Sequence, residues 1–140
     1  MSLYLDASVL VALFVIDPFS ARAEAFLSAH PEIFFISDFG AAEFSSAAAR
    51  RVRMRDLTAD DGRLAFANFD SWLACSADRQ ETTAADIAAA DRILRRLDVN
   101  LRTPDALHIA IAQRIAATLV TFDQHMASSA RALGMAVATP

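Results

Sequence analysis

Apolar positions along the chain follow two rhythms. Leu3-Tyr4-Leu5 and Ile33-Phe34-Phe35-Ile36 are short unbroken runs, as expected of buried strands. Leu119-Val120-Thr121-Phe122, ending at Asp123, and Met135–Ala138 read the same way. Longer stretches with helical spacing separate them. Ala7–Ile16 reads as a buried helix, and Asp17-Pro18 as the cap and first residue of a second helix running to about Ala29. Asp38 is placed to cap a helix from Phe39 to about Met54. Thr58 with Asp61, and Thr83 with Asp86, have the spacing of capping boxes; they open a helix carrying Phe66, Phe69, Trp72 and Leu73 and another reaching about Leu97. Thr103-Pro104-Asp105 combines a cap, a proline and an early acid, and starts a helix to about Ala117. A short helix follows Asp123 and ends at Leu133, with Gly134 beyond it. Short strands alternating with helices predict an α/β fold, a small and mostly parallel sheet flanked by helices in an α/β/α arrangement. No repeat or linker interrupts it, so one domain is expected over residues 1–140.

Composition narrows the chemistry. Hydrophobic residues make up 55% and charged residues 21%, which supports a packed core and excludes a mostly disordered chain. The net charge is −4, so overall charge does not hold this protein on nucleic acid, and local patches must do so. All 13 basic residues are Arg. The absence of Lys excludes a P-loop lysine, Schiff-base chemistry and a lysine-dependent receiver domain. The single Cys, Cys75, fits a reducing cytoplasm and reads as a small buried hydrophobe. Ala7–Ile16 is too short to span a bilayer, and no basic leader precedes it, so neither an anchor nor a signal peptide is expected.

Four acids stand where burial is expected. Asp6 and Asp123 end two strands, and ligands of open α/β sheets bind beyond such ends. Asp105 opens a helix that is apolar nearly all round. Glu43 shares a helical stripe with Phe39 and Ala47. Each has a structural reading as well: Asp6 and Asp123 as helix caps, Asp105 as a first-turn acid favoured by the helix dipole. Few basic residues lie near these acids in sequence. Gathered carboxylates repel, and a divalent cation resolves the repulsion; an all-oxygen donor set points to magnesium or manganese rather than zinc. Such a site activates water and neutralises a phosphodiester with one ion, or with two roughly 3.5–4 Å apart.

Leu3-Tyr4-Leu5-Asp6-Ala7-Ser8, Ala41-Ala42-Glu43-Phe44, Arg102–Ala110 (RTPDALHIA) and Val120-Thr121-Phe122-Asp123 resemble, in order and spacing, the PIN domain, and most of all the compact VapC-type toxins of bacterial toxin–antitoxin pairs. The likeness extends over the whole chain. It implies a magnesium- or manganese-dependent endoribonuclease acting on structured RNA of the tRNA or ribosomal RNA class, leaving a 5′-phosphate and a 3′-hydroxyl. The acid quartet of the family corresponds to Asp6, Glu43, Asp105 and Asp123. Asp6 and Asp105 are expected to bind the first metal most directly, while Glu43 and Asp123 complete the shell or orient water. Ser8 corresponds to the hydroxyl after the first acid and Thr121 to the one before the last. The resemblance further implies a cognate VapB-type antitoxin, a homodimer and a cytoplasmic location.

Arg50, Arg51, Arg53 and Arg55 follow Glu43, with Arg50 roughly 10 Å along the helix axis. Arg50, Arg51 and Arg53 are candidate contacts for RNA or antitoxin, or simply a solvated surface. Arg102 is a candidate phosphate contact or a partner for Asp98. His108 reads as a satisfied structural histidine, His125 as a surface residue and His30 as a helix-end contact. Phe66, Phe69 and Trp72 read as core or dimer surface rather than a platform for bases. Competing functions are an RNA-processing nuclease without an antitoxin, a non-catalytic binding module, and a haloacid-dehalogenase-like phosphatase. The last wants a second Asp where the chain has Ser8, and typically a Lys.

Overall fold

The computed structural model describes residues 1–140. In chain order the elements are β1 (Leu3–Leu5), α1 (Ala7–Phe14), α2 (Ser20–Ala29), β2 (Phe34–Ser37), α3 (Asp38–Arg53), α4 (Ala59–Ser76), β3 (Ala77–Gln80), α5 (Ala84–Leu94), α6 (Thr103–Arg114), β4 (Thr118–Val120), α7 (Gln124–Ala132) and β5 (Val137–Ala138). The five strands form one parallel sheet in the order β3-β2-β1-β4-β5. Helices cover both faces, as the alternating pattern predicts.

The period of two along β1 divides the interior. Leu3 and Leu5 point into one cluster with Val9, Leu10, Ile36, Phe44 and Phe69. Tyr4 points into the other, with Ile93, Ile109, Ile111, Leu119 and Met126. Every residue of β1 is fully buried, as a central strand of a parallel sheet requires. The chain leaves β1 toward β2 on one side, and β4 lies on the other. The ends of β1 and β4 therefore flank the point where strand order reverses, the place where such sheets form a crevice.

Several expected boundaries shift. Ser37, not Asp38, caps α3, its hydroxyl accepting from the Gly40 amide at 2.9 Å. Asp17-Pro18 forms a turn before α2: the Asp17 carboxylate accepts from the Phe19 amide at 2.8 Å and pairs with Arg51, so the helix waits until Ser20. Thr103 is the first residue of α6 rather than its cap, because Asp105 reaches back to the Arg102 amide at 3.2 Å. Thr83–Asp86 forms the expected capping box, whereas Thr58 caps α4 by accepting from the Asp61 amide while Asp61 takes the Thr58 hydroxyl instead of its amide. Gly134 takes φ +79° just past α7, a conformation open to glycine. β3 was not foreseen: Ala77-Asp78-Arg79-Gln80 is an edge strand with a largely exposed, polar sequence. Cys75 is exposed on α4, contrary to the expected buried position. Phe69 is buried, and Phe66 and Trp72 pack against the same core cluster. No helix is long and apolar enough to cross a membrane.

Candidate active site

Asp6 follows β1 directly and caps α1, accepting from the Val9 amide at 3.2 Å. It is 2% exposed, so both carboxylate oxygens need donors. Ser8 donates to Oδ1 at 2.6 Å and Thr121 donates to Oδ2 at 2.7 Å. The same hydroxyls accept backbone amides from the segment after β4: Phe122 N–H to Ser8 Oγ at 3.0 Å, and Asp123 N–H to Thr121 Oγ1 at 2.9 Å. The Asp6 amide also donates to the Val120 carbonyl at 3.2 Å. These bonds lock the ends of β1 and β4 together around the Asp6 carboxylate. Burial raises the Asp6 pKa above the usual range, against lowering by His108 and by the Ser8, Thr121 and Val9 hydrogen bonds.

Asp123 caps α7 through Oδ1, which accepts from the Met126 amide at 2.9 Å. Its other oxygen lies 3.6 Å from the Arg102 guanidinium. Asp105, buried in the first turn of α6, takes the same guanidinium on both oxygens at 3.1 and 3.4 Å. Glu43 is also within electrostatic reach of Arg102. Arg102 therefore does not pair with Asp98, whose partner is Arg96. Its cation is shared by Asp105 and Asp123, acids that seemed to lack basic neighbours.

Glu43 stands on α3. Its Oε2 meets His108 Nε2 at 2.6 Å, while His108 Nδ1 meets the Tyr4 hydroxyl at 2.7 Å. Tyr4 in turn bonds the Ser37 hydroxyl at 2.7 Å. Burial pushes the Tyr4 hydroxyl well above its usual range, so it stays protonated. The Glu43 carboxylate can only accept, so His108 donates to it from Nε2. His108 is 2% exposed and is thus satisfied, as the sequence suggests, but one of its partners is a candidate site acid. Gly40 makes room for this chain: a Cβ there would stand 3.3 Å from Ser37 Oγ and 3.4 Å from the His108 ring.

Ser8, Glu43 and Asp123 line one cleft of about 460 Å³ together with Asp17, Phe19 and Phe122. A neighbouring cleft runs from Glu43 past Arg50 and Arg51 to Met54. Arg51 is tied to Asp17 at 2.8 Å, whereas Arg50 and Arg53 are exposed in the last turn of α3. His125 is exposed, and His30 bonds the Phe26 carbonyl at the end of α2.

No three His, Cys, Asp or Glu side chains stand as a ready-made metal-holding set. The donors nevertheless fit a hard cation in kind, being carboxylates without Cys. One cationic group, the Arg102 guanidinium, already stands against two of them.

A model of the PIN domain matches residues 3–132. Ribonuclease VapC46 of Mycobacterium tuberculosis (strain ATCC 25618 / H37Rv) is 34% identical over 149 aligned positions, covering 99% of this chain and 98% of that protein. Among solved structures, Mycobacterium tuberculosis VapC20, described as a Sarcin-Ricin loop cleaving toxin, superposes with a TM-score of 0.74 at 20% identity over 95% of both chains. A chain of VapBC2 from Rickettsia felis, bound to a DNA fragment from their promoter, gives 0.72 at 17% identity over 99% of this chain and 98% of that one. The two structures share the fold.

Proposed function

The chain belongs to the PIN domain family, and on that premise we propose that it is the toxin of a VapBC-type pair, a magnesium- or manganese-dependent endoribonuclease. Its carboxylates are Asp6, Glu43, Asp105 and Asp123. The observation that carries this reading is the shared guanidinium: Asp105 and Asp123 hold one cation at the switch point of the sheet, with Glu43 in reach. The reading is further supported by Glu43 of α3, which lines the same cleft as Asp123.

When bound, the divalent ion neutralises the phosphodiester and makes water a stronger nucleophile. The chain's own residues do the rest. Ser8 and Thr121 fix both oxygens of Asp6, so this acid meets its ligand without reorganising. Asp105 and Asp123, which face the Arg102 guanidinium, would help to hold the ion. His108 holds Glu43 by Oε2, which leaves Oε1 to accept a hydrogen bond from the attacking water and orient it. Hydrolysis leaves a 5′-phosphate and a 3′-hydroxyl.

The substrate class is tRNA or ribosomal RNA, and the silencing partner is a VapB-type antitoxin. Arg50 and Arg51 line the second cleft, and Arg53 is exposed in the same last turn of α3; there an antitoxin tail or the next phosphate of the RNA is accommodated. The toxin acts in the cytoplasm as a homodimer. The phosphatase alternative loses its support, since Ser8 stands where that chemistry wants an acid.

The test is cleavage of total bacterial RNA by purified protein with Mn²⁺, with Mg²⁺ and with chelator, followed by sequencing of new 5′ ends. Discrete 5′-phosphorylated ends that require the ion and vanish in Asp6→Asn are expected. Equal cutting in chelator, or cutting that survives Asp6→Asn, overturns the proposal.

A further inference from the structure

An aromatic pair stands at the mouth of the carboxylate cleft. Phe19, at the cap of α2, and Phe122, just after β4, stack with centroids 4.7 Å apart and planes 28° from parallel. Both line the cleft that Ser8, Glu43 and Asp123 also line. The Arg22 guanidinium carbon lies 5.6 Å from the Phe19 centroid and 5.3 Å from that of Phe122. Those three separations form a nearly equilateral triangle, so Arg22 sits at the flank of the stack and does not itself cover the far side of Phe19. Arg22 also donates to the Pro140 carbonyl, which anchors it in that flanking position. Phe19 remains 42% exposed, whereas the other aromatic side chains lie in or pack against the two core clusters.

We propose that the far face of Phe19 is a stacking platform for an unpaired nucleobase next to the phosphate that is cut, with Phe122 backing the ring and Arg22 bracing the pair. Three observations point to a base. The surface is flat, aromatic and flanked by a cation, the combination that single-stranded nucleic acids use without regard to sequence. It opens into the same cleft as Glu43 and Asp123, so a nucleotide stacked there brings its phosphate toward the acids. The cleft, about 460 Å³, lies within the roughly 300–1,000 Å³ typical of sites for small ligands. A splayed, unpaired base is also what proteins read in folded RNA, where paired grooves are hard to enter. The platform is not the Phe66, Phe69 and Trp72 cluster, which is packed in the interior. This inference rests on the nuclease reading for the identity of the neighbouring phosphate.

The experiment uses short single-stranded oligoribonucleotides carrying 2-aminopurine at successive positions, with Ca²⁺ present to offset the carboxylates. Wild-type protein is expected to quench the probe at one position by stacking. Phe19→Ala and Phe19→Leu lose that quenching and bind roughly five- to a hundredfold more weakly, the range of one base–aromatic stack. Phe19→Tyr restores both. Phe19→Leu keeps an apolar side chain against Phe122, so an unchanged melting temperature in that variant separates stacking from a structural role. Equal quenching by wild type and Phe19→Leu, or none by wild type, overturns the platform. Cleavage with Mn²⁺ is scored separately. Cutting without Phe19-dependent quenching removes the platform and leaves the nuclease, whereas Phe19-dependent quenching without cutting leaves an RNA-binding surface and removes the nuclease.

Discussion

Asp6 carries the sharpest consequences at the scale of single residues. Its folded pKa lies above the unfolded value, chiefly through burial, so the ionised carboxylate costs the folded state stability. The cost is absent below the unfolded value of about 3.9, grows as pH rises through the folded value, and is complete above it. Asp6→Asn, which keeps an acceptor for Val9, is therefore expected to melt higher than wild type at neutral pH, with the gap closing toward pH 3. Thermal melts across that range check it; a gap independent of pH contradicts it. Ser8→Ala and Thr121→Val each remove one hydroxyl from this acid. They should weaken Mn²⁺ binding about 10- to 100-fold, the usual effect of losing a partner that orients a ligand, as isothermal titration would read. His108→Ala should do the same through Glu43, and His108→Gln, able to donate from a nearby position, should recover part of it. Arg102→Ala should act in the opposite sense. Its guanidinium is 75% exposed and screened by solvent, so Mn²⁺ affinity is expected to rise about two- to fivefold at low salt. The four acids were legible because acids at strand ends and in apolar stripes demand an explanation. Their organic partners were not. Arg102 stands between Asp98 and Asp105 at similar sequence distance, four residues from one and three from the other, and the turn into α6 decides between them. Nothing in sequence links Tyr4 to His108, or Phe19 to Phe122, each about a hundred residues apart.

At the scale of elements, strength of local signal decided what could be read. α4 and α5 announce themselves through Thr58 and Thr83, because a capping hydroxyl satisfies an amide three residues on that nothing else would. β3 gave no such sign. An edge strand half exposed to water needs no apolar alternation, and Ala77–Gln80 pairs with β2 through backbone bonds alone. The contact between α5 and α6 is pinned by an ion pair at its end: Arg114 donates to Asp86 at 2.7 Å, and Asp86 is 1% exposed. Burial pushes the Asp86 pKa up, but Arg114 and the two Thr83 contacts outweigh it and hold the carboxyl below its usual range. This pair therefore adds stability above the unfolded pKa, and that contribution disappears as pH falls through the lower folded value. Arg114→Ala should cost about 2 kcal/mol near neutral pH, less than the 3–5 of a fully buried pair because the guanidinium is a third exposed. Urea unfolding at pH 7 and pH 3 tests this: the difference between variant and wild type should shrink in acid.

For the whole molecule, strand order is what converts scattered residues into a site. Period-two burial in β1 splits the core into two layers, and the reversal between β1 and β4 leaves the crevice beside Asp6, directly after β1, and Asp123, in the turn between β4 and α7. The alternating pattern predicts a small, mostly parallel sheet flanked by helices, but the strand order is read only from the structure. On the proposed reading, an ion held by the crevice acids stabilises the folded state by its binding. At a hundredfold excess over the dissociation constant, Mn²⁺ should add about 2.7 kcal/mol and raise the melting temperature by on the order of 10 °C, with chelator reversing it. The most direct measurement is an anomalous difference map from crystals grown with Mn²⁺. A peak within coordination distance of Asp6 and Asp105, with Glu43 and Asp123 beside it and Arg102 moved away from both of its carboxylates, is the predicted result. Strong Mn²⁺ peaks elsewhere, with Arg102 still bridging Asp105 and Asp123 at saturating ion, would contradict it.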